Sequence, residues 1–237
     1  MINERKNFSA WWAIIFTILT FNLVPVPFVL VISLLGDWVY QNPVIVDMNY
    51  MGEIKMHPVA DNLTTILSMS AIILFLAWRM QKRNIPLTEL GSLEIKTKDV
   101  LFGTLFLSLF IGLEELYMWL LGIEMPKGFI EFLLSKPIIL GFISVVIIAP
   151  IAEEYIFRGF LFSQLKLTKL GPWGAISLSS LLWTVIHFQY ELKILLVLFL
   201  FGLFLGYVRM AYQSLSLPII LHGINNLFAF VMAYYFF

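Results

Sequence analysis

Hydrophobic residues along this chain run in long blocks separated by short polar connectors, without the spacing of elements that keep one face in water. A helix crosses a bilayer with about 20 mostly apolar residues. Seven stretches have that character, at 10–36, 61–79, 100–122, 137–161, 172–188, 193–211 and 217–237. The pattern predicts an all-α fold: a polytopic transmembrane helix bundle of about seven spans, with a range of six to eight, enclosing an intramembrane polar site. The first stretch follows Arg5 and Lys6 as the core of a signal peptide would, but it is too long and shows no small-residue cleavage site, so it reads as a retained span. Pro25 and Pro27 are expected to kink it. There is no repeat or low-complexity segment, and polar connectors such as 84–99 are too short to be domains. One membrane domain over 1–237 is expected, with its motif-bearing helical core at about 137–237.

Composition agrees, because 60% hydrophobic and 13% charged residues with a mean hydropathy of +0.91 cannot be hidden inside one soluble core of this length. A net charge of zero says nothing about nucleic-acid or acidic partners; no nucleic-acid partner is expected. The placement of Lys and Arg is informative instead. Arg79, Lys82, Arg83, Lys96 and Lys98 fill the connector after the second stretch, Lys166 and Lys169 the one after the fourth, and Arg209 ends the sixth. The connectors 37–60 and 123–136 carry Asp37, Asp47, Glu53, Glu124 and Glu131 against Lys55, Lys127 and Lys136. The positive-inside rule then predicts a cytoplasmic N-terminus. Seven spans place the C-terminus outside, and one half-length helix reverses that end. The absence of cysteine excludes a thiol nucleophile, a disulfide framework and Cys-ligated zinc. Trp11, Trp12, Trp38, Tyr40, Trp78, Trp173, Tyr234 and Tyr235 sit near span ends and read as interfacial anchors. His57, beside Pro58 in a polar connector, reads as a solvated surface residue.

Candidate chemistry lies among the ionisable groups at membrane depth, which are costly there and by default functional. The fourth stretch contains Glu153, Glu154 and Arg158 just after Pro150. Glu154 and Arg158 are four residues apart and pair on one helix face. Glu153 points roughly 100° away from Glu154 and is left facing another helix, as a carboxylate for general acid or base work would be. His187 in the fifth stretch, and His222 with Asn226 on one face of the seventh, add further polar groups in apolar surroundings. Glu153 and His187 are each 17 residues from a hairpin tip near Leu170, which puts both about 25 Å from it. His222 is 8 residues from the turn near Ser214, about 12 Å. The depths agree if the first hairpin projects a turn or two beyond the second, and the site is then expected to open toward the cytoplasm. Glu114 and Glu115 in the third stretch have no basic neighbour in the sequence and no assigned role.

The ordered set Glu153-Glu154-x-x-x-Arg158, Trp183-x-x-x-His187 and His222-x-x-x-Asn226 resembles the CAAX-protease and bacteriocin-processing (CPBP, or Abi) family of intramembrane proteases. The resemblance spans about a third of the chain. It departs from the family pattern at Trp183, where a Phe usually begins the second motif. It implies an intramembrane endopeptidase in which Glu153 and His187 activate a water while His222 and Asn226 donate to the oxyanion of the tetrahedral intermediate. Glu154 and Arg158 look supportive. Arg158 is the candidate substrate-binding group, its forked guanidinium being suited to a carboxylate, although an orienting role ranks above that. The implied partners are the bilayer and a membrane-embedded or lipidated peptide or protein.

A zinc ion is the alternative cofactor reading, with Glu153, His187 and His222 as a two-His, one-carboxylate site and a water in the fourth position. The chain has no His-Glu-x-x-His pair on one helix, so metal-free glutamate catalysis is preferred. Two other readings compete with the protease. A catalytically inactive membrane scaffold or regulator would be indifferent to the motif residues, and a proton-coupled secondary transporter would be expected to repeat the Glu-Glu…Arg element in a second half, which this chain does not.

Overall fold

The protein is described here from a computed structural model covering residues 9–40, 45–48, 54–134 and 137–236, with only the backbone described at 37–40, 45–48, 54–56 and 58. The sequence readings on Arg5, Lys6, Glu53 and Lys136, and on the side chains of Asp37, Trp38, Tyr40, Asp47 and Lys55, lie outside these described residues.

Helices α1 (Ala10–Leu23) and α2 (Pro25–Tyr40) form one apolar unit. Pro25 has no N–H to bond back into the preceding turn, so the helix is interrupted at Val24, whose backbone stays helical at φ −64° and ψ −36°. The outcome is a kink within one span. A short antiparallel hairpin, β1 (Ile45–Met48) with β2 (Ile54–Met56), follows and is a departure from a purely helical chain. The remaining long elements are α3 (Pro58–Lys82), α4 (Thr97–Leu121), the short α5 (Lys127–Leu133), α6 (Ile138–Leu165), α7 (Gly171–Val185), α8 (Leu192–Tyr212) and α9 (Ser216–Phe236). Among the described residues six helices are long and apolar enough to cross a membrane, the α1–α2 unit and α3, α4, α6, α8 and α9, and the protein is a polytopic helical membrane protein.

The fifth predicted stretch differs. Helix α7 has 15 residues, which at 1.5 Å per residue is about 22 Å, short of the roughly 30 Å hydrocarbon core. After Val185 the backbone tightens, with His187 N–H on the Thr184 carbonyl at 3.0 Å and Phe188 N–H on Val185 at 3.2 Å. His187 therefore sits on a turn beyond the helix end. An apolar run in sequence does not reveal where the backbone changes pitch, which is why the boundary was drawn too late.

Helix α6 is the axis of the bundle, packing against α1, α3, α7 and α9. Lipid is as apolar as the helix faces, so dispersion contacts and interhelical hydrogen bonds, rather than escape from water, hold these neighbours together. Phe160 and Phe157 of α6 meet Phe16 and Phe21 of α1 at ring separations of 5.5 and 5.3 Å, each such pair contributing about 0.5–1.5 kcal/mol beyond its area. Helix α8 approaches α7 closely at Gly202, where a Cβ would lie 3.0 Å from that of Ser180. The axis is not uniformly α-helical: π-helical turns at Phe142–Ile148 and Tyr155–Leu161 flank the α-helical Ala149–Glu154.

Helix α5 folds back onto the start of α6 at Gly141, where a Cβ would collide with the Leu133 carbonyl oxygen. Gly141→Ala is expected to cost about 1–3 kcal/mol through overpacking, measured as a lowered melting temperature in detergent. Gly112→Ala, at a position with nothing within 4 Å, should be neutral or stabilising in the same assay.

Candidate active site

The charged groups of α6 separate onto two sides of the helix. Glu154 and Arg158 lie one turn apart, and Arg158 Nη1 donates to Glu154 Oε1 at 2.9 Å. The same carboxylate oxygen lies 2.9 Å from Nδ1 of His222 on α9. Arg158 Nη2 donates to the Gly202 carbonyl of α8 at 3.0 Å, and the guanidinium lies 5.0 Å over the ring of Trp183 on α7. Relative exposure is 0% for Glu154 and Arg158, 3% for His222 and 7% for Glu153. This ionic cluster is withdrawn from both water and lipid.

Glu153, turned by one helical step from Glu154, faces α7, where Trp183 Nε1–H donates to its Oε2 at 2.5 Å. Trp183 is the hub of the site. Its ring packs edge-on against His187 at 5.0 Å and against His222 at 5.5 Å. Its backbone carbonyl lies 2.9 Å from His187 Nδ1. A carbonyl can only accept, so Nδ1 carries the proton and the lone pair of a neutral His187 is on Nε2. Asn226, one turn beyond His222, donates from Nδ2 to the Val145 carbonyl at 2.9 Å. Glu153, Arg158, His187 and His222 thus gather around one indole, with Glu154 joined to them through Arg158 and His222, while Asn226 reaches back to the first π-helical turn of α6.

The depth offset required by the sequence is present. Arg209 Nε of α8 donates to the Arg158 carbonyl at 3.2 Å, although Arg158 lies seven residues before the end of α6 and Arg209 three before the end of α8. The α6–α7 hairpin therefore projects about one turn beyond the α8–α9 turn, and that offset brings Glu154 level with His222.

Sequence reasoning missed Tyr190 and Phe129. Tyr190 stacks on His187 at 6.2 Å and 17°, and meets Phe129 of α5 edge-on at 6.3 Å. Burial pushes its hydroxyl up to about 12, with the charge of Glu153 adding to the effect. Its spacing of three from His187 was a readable signal. For Phe129, on a segment far off in sequence, there was none. The guanidinium-to-carbonyl bond at Gly202 was equally hidden. Glu114 is half-buried on α4, four residues beyond Phe110, which packs on Phe201 and Phe204 of α8, and Glu115 is exposed.

Among the described residues no three His, Asp or Glu side chains converge as metal ligands would. Nδ1 of His222 is held by Glu154 and Nδ1 of His187 by the Trp183 carbonyl, so Nε2 is the nitrogen each ring would offer to a metal or to substrate.

Trp183→Phe keeps an aromatic ring but leaves Glu153 Oε2 without its indole donor. The expected cost is about 1.5–3 kcal/mol, that of a hydrogen bond to a charged group, read as a fall in melting temperature. Trp173→Phe, at a 64% exposed position, should leave the melting temperature unchanged.

Comparison with known proteins places a family match on these same elements. Residues 135–228 match the family described as type II CAAX prenyl endopeptidase Rce1-like. Over 87 residues the chain is 34% identical to a protein of Escherichia coli described as an uncharacterized 24.3 kDa protein. That match covers 36% of this chain and 40% of the relative's length. No solved structure matches. The three motifs and the Rce1-like match coincide, and over residues 135–228 the resemblance to the CPBP proteases is borne out.

Proposed function

We propose that this protein is an intramembrane endopeptidase of the CAAX-prenyl-protease type, hydrolysing a peptide bond of a membrane-embedded or lipidated substrate. The observation that carries the proposal is the unequal treatment of two adjacent carboxylates. Glu154 is bound to Arg158 and His222, whereas Glu153 accepts from an indole N–H and, among the described residues, has no cation within ion-pair distance.

In this reading Glu153 is the general base that takes a proton from the attacking water. His187, held by the Trp183 carbonyl with its Nε2 lone pair free, shares or relays that proton to the leaving amine. His222, its Nδ1 held by Glu154 Oε1, stabilises the developing oxyanion from Nε2. Asn226 keeps one amide N–H beyond the one given to Val145, and we assign that donor to the same oxyanion. Arg158, fully buried and committed to Glu154 and Gly202, orients the carboxylate rather than binding substrate. The basic residues of the α3–α4, α6–α7 and α8–α9 turns support a cytoplasmic side for these turns in this reading.

Glu153→Gln, His187→Ala and His222→Ala are each expected to abolish cleavage of a quenched fluorescent farnesyl-CAAX peptide by protein in nanodiscs. The rate should fall by at least roughly 10²-fold, the scale of one lost acid–base or oxyanion group, with the helical circular dichroism spectrum retained. Cleavage at the wild-type rate by Glu153→Gln would refute the mechanism.

The metal-free reading predicts chelator resistance. Cleavage should proceed unchanged after 1,10-phenanthroline treatment and dialysis; loss of activity that zinc restores would overturn metal-free catalysis.

A further inference from the structure

Each π-helical turn in α6 leaves a backbone acceptor without its helical donor. In an α-helix each N–H bonds the carbonyl four residues back, in a π-turn five back, so the return to α pitch passes over one carbonyl. At the end of the first turn Ala149 N–H reaches Ser144, and Pro150, the next residue, has no N–H to give, which leaves Val145 without a helical donor. At the end of the second, Phe162 N–H is shared between the carbonyls of Gly159, three back, and Phe157, five back, which passes over Arg158. Buried carbonyls seek partners, and both of these have one from another helix. Asn226 Nδ2 takes the Val145 oxygen at 2.9 Å, and Arg209 Nε takes the Arg158 oxygen at 3.2 Å.

Arg209 is as buried as the site itself, at 1% exposure. It is anchored independently of α6 by the Leu90 carbonyl, which accepts from Nε at 3.1 Å and from Nη2 at 2.8 Å, and its guanidinium lies 5.4 Å over the ring of Phe162. No carboxylate is needed to place it, because two backbone carbonyls from different parts of the chain do so.

We infer that Arg209 is a positioning residue for the Glu154–His222 contact, because it holds open the π-turn that sets the rotation of α6 at that contact. Without a donor at the Arg158 carbonyl, the turn relieves the orphan by reverting to α pitch. Closing it by one residue rotates the two flanking segments by about 100° relative to each other. Glu154 immediately precedes the turn and Arg158 lies within it, so their pairing, and with it the aim of Glu154 at His222, depends on that rotation. Arg209 touches none of these side chains; it acts through the backbone. The inference rests on the site described above and deepens the reading of its mechanism.

The test reads the imidazole nitrogens of the full-length protein in nanodiscs, labelled with 15N-histidine, at one fixed pH. The chain has three histidines, and His57, exposed in the connector before α3, is an internal control. Arg209→Gln is expected to move the His222 Nδ1 resonance and leave that of His57 in place. A folded Arg209→Gln protein whose His222 resonance matches wild type overturns the inference. If Arg209→Gln does not fold, Arg209→Lys decides. One ammonium cannot reproduce the fork that spans the Leu90 and Arg158 carbonyls, so the same resonance moves in the same direction, less far, and an unchanged resonance overturns the inference. The signal is read without substrate, so a chain that cleaves no peptide defeats the proposed function and leaves this test intact. On a cleaved peptide, Arg209→Gln should lower kcat by roughly 10²-fold with KM held, as displaced catalytic groups do.

Discussion

A carboxylate inside a bilayer-spanning helix must be neutralised or hydrogen-bonded at every turn, and here one oxygen of Glu154 meets that demand for three helices at once. It accepts from Arg158 one turn along α6 and from His222 of α9, while Arg158 carries the charge on to the Gly202 carbonyl of α8. Isolated, each of these ions would cost several kcal/mol to withdraw from water. Joined, they fix the register of α6, α8 and α9 against one another. Apolar contacts cannot do this as sharply, since hydrocarbon on a neighbouring helix is little different from hydrocarbon of the lipid. The cluster is thus a structural key, and the site is built on its flank.

The flank is Glu153. Adjacent residues on an α-helix diverge by about 100°, so two consecutive glutamates necessarily meet different neighbours. One faces the cationic side; the other faces α7 and the indole of Trp183. Two carboxylates in contrasting surroundings are the usual basis for assigning different chemical roles. Trp183 adds something that a phenylalanine could not: a donor for Glu153, a face for Arg158 and an edge for both imidazoles. The departure of this chain from the usual Phe therefore changes which atom meets the Glu153 carboxylate while an aromatic ring is kept.

Much of this was legible in the sequence because lipid is a simple solvent. Long apolar blocks are spans, and charges inside them are suspects, so the helical fold, the Pro25 kink and the Glu154–Arg158 pair could be read from composition and spacing. The short α7 could not, because hydropathy stays high past Val185 while the backbone tightens at His187. Nor could the β-hairpin between α2 and α3, whose few residues carry no strong alternation. Within the site, spacing predicted which side chains share a helix face but not which atoms meet. That Trp183 and not His187 would be the hydrogen-bond partner of Glu153, or that Tyr190 and Phe129 would pack beside His187, depends on crossing angles that no local pattern encodes.

The π-turns explain how one helix satisfies all these partners. A regular α-helix offers side-chain directions only in fixed steps, and α6 must present Glu153 to α7, Glu154 to α9 and Arg158 to α8 while packing Phe157 and Phe160 against α1. Widening the pitch for one turn on either side of Ala149–Glu154 lets the central, carboxylate-bearing segment rotate relative to both ends. Each widening, the first together with Pro150, leaves a carbonyl without a helical donor, and each of these carbonyls draws a donor from α8 or α9. The irregularity of the axis and its attachment to its neighbours are therefore one device: the same backbone acceptors that make α6 adjustable also lock it once the right helices are in place.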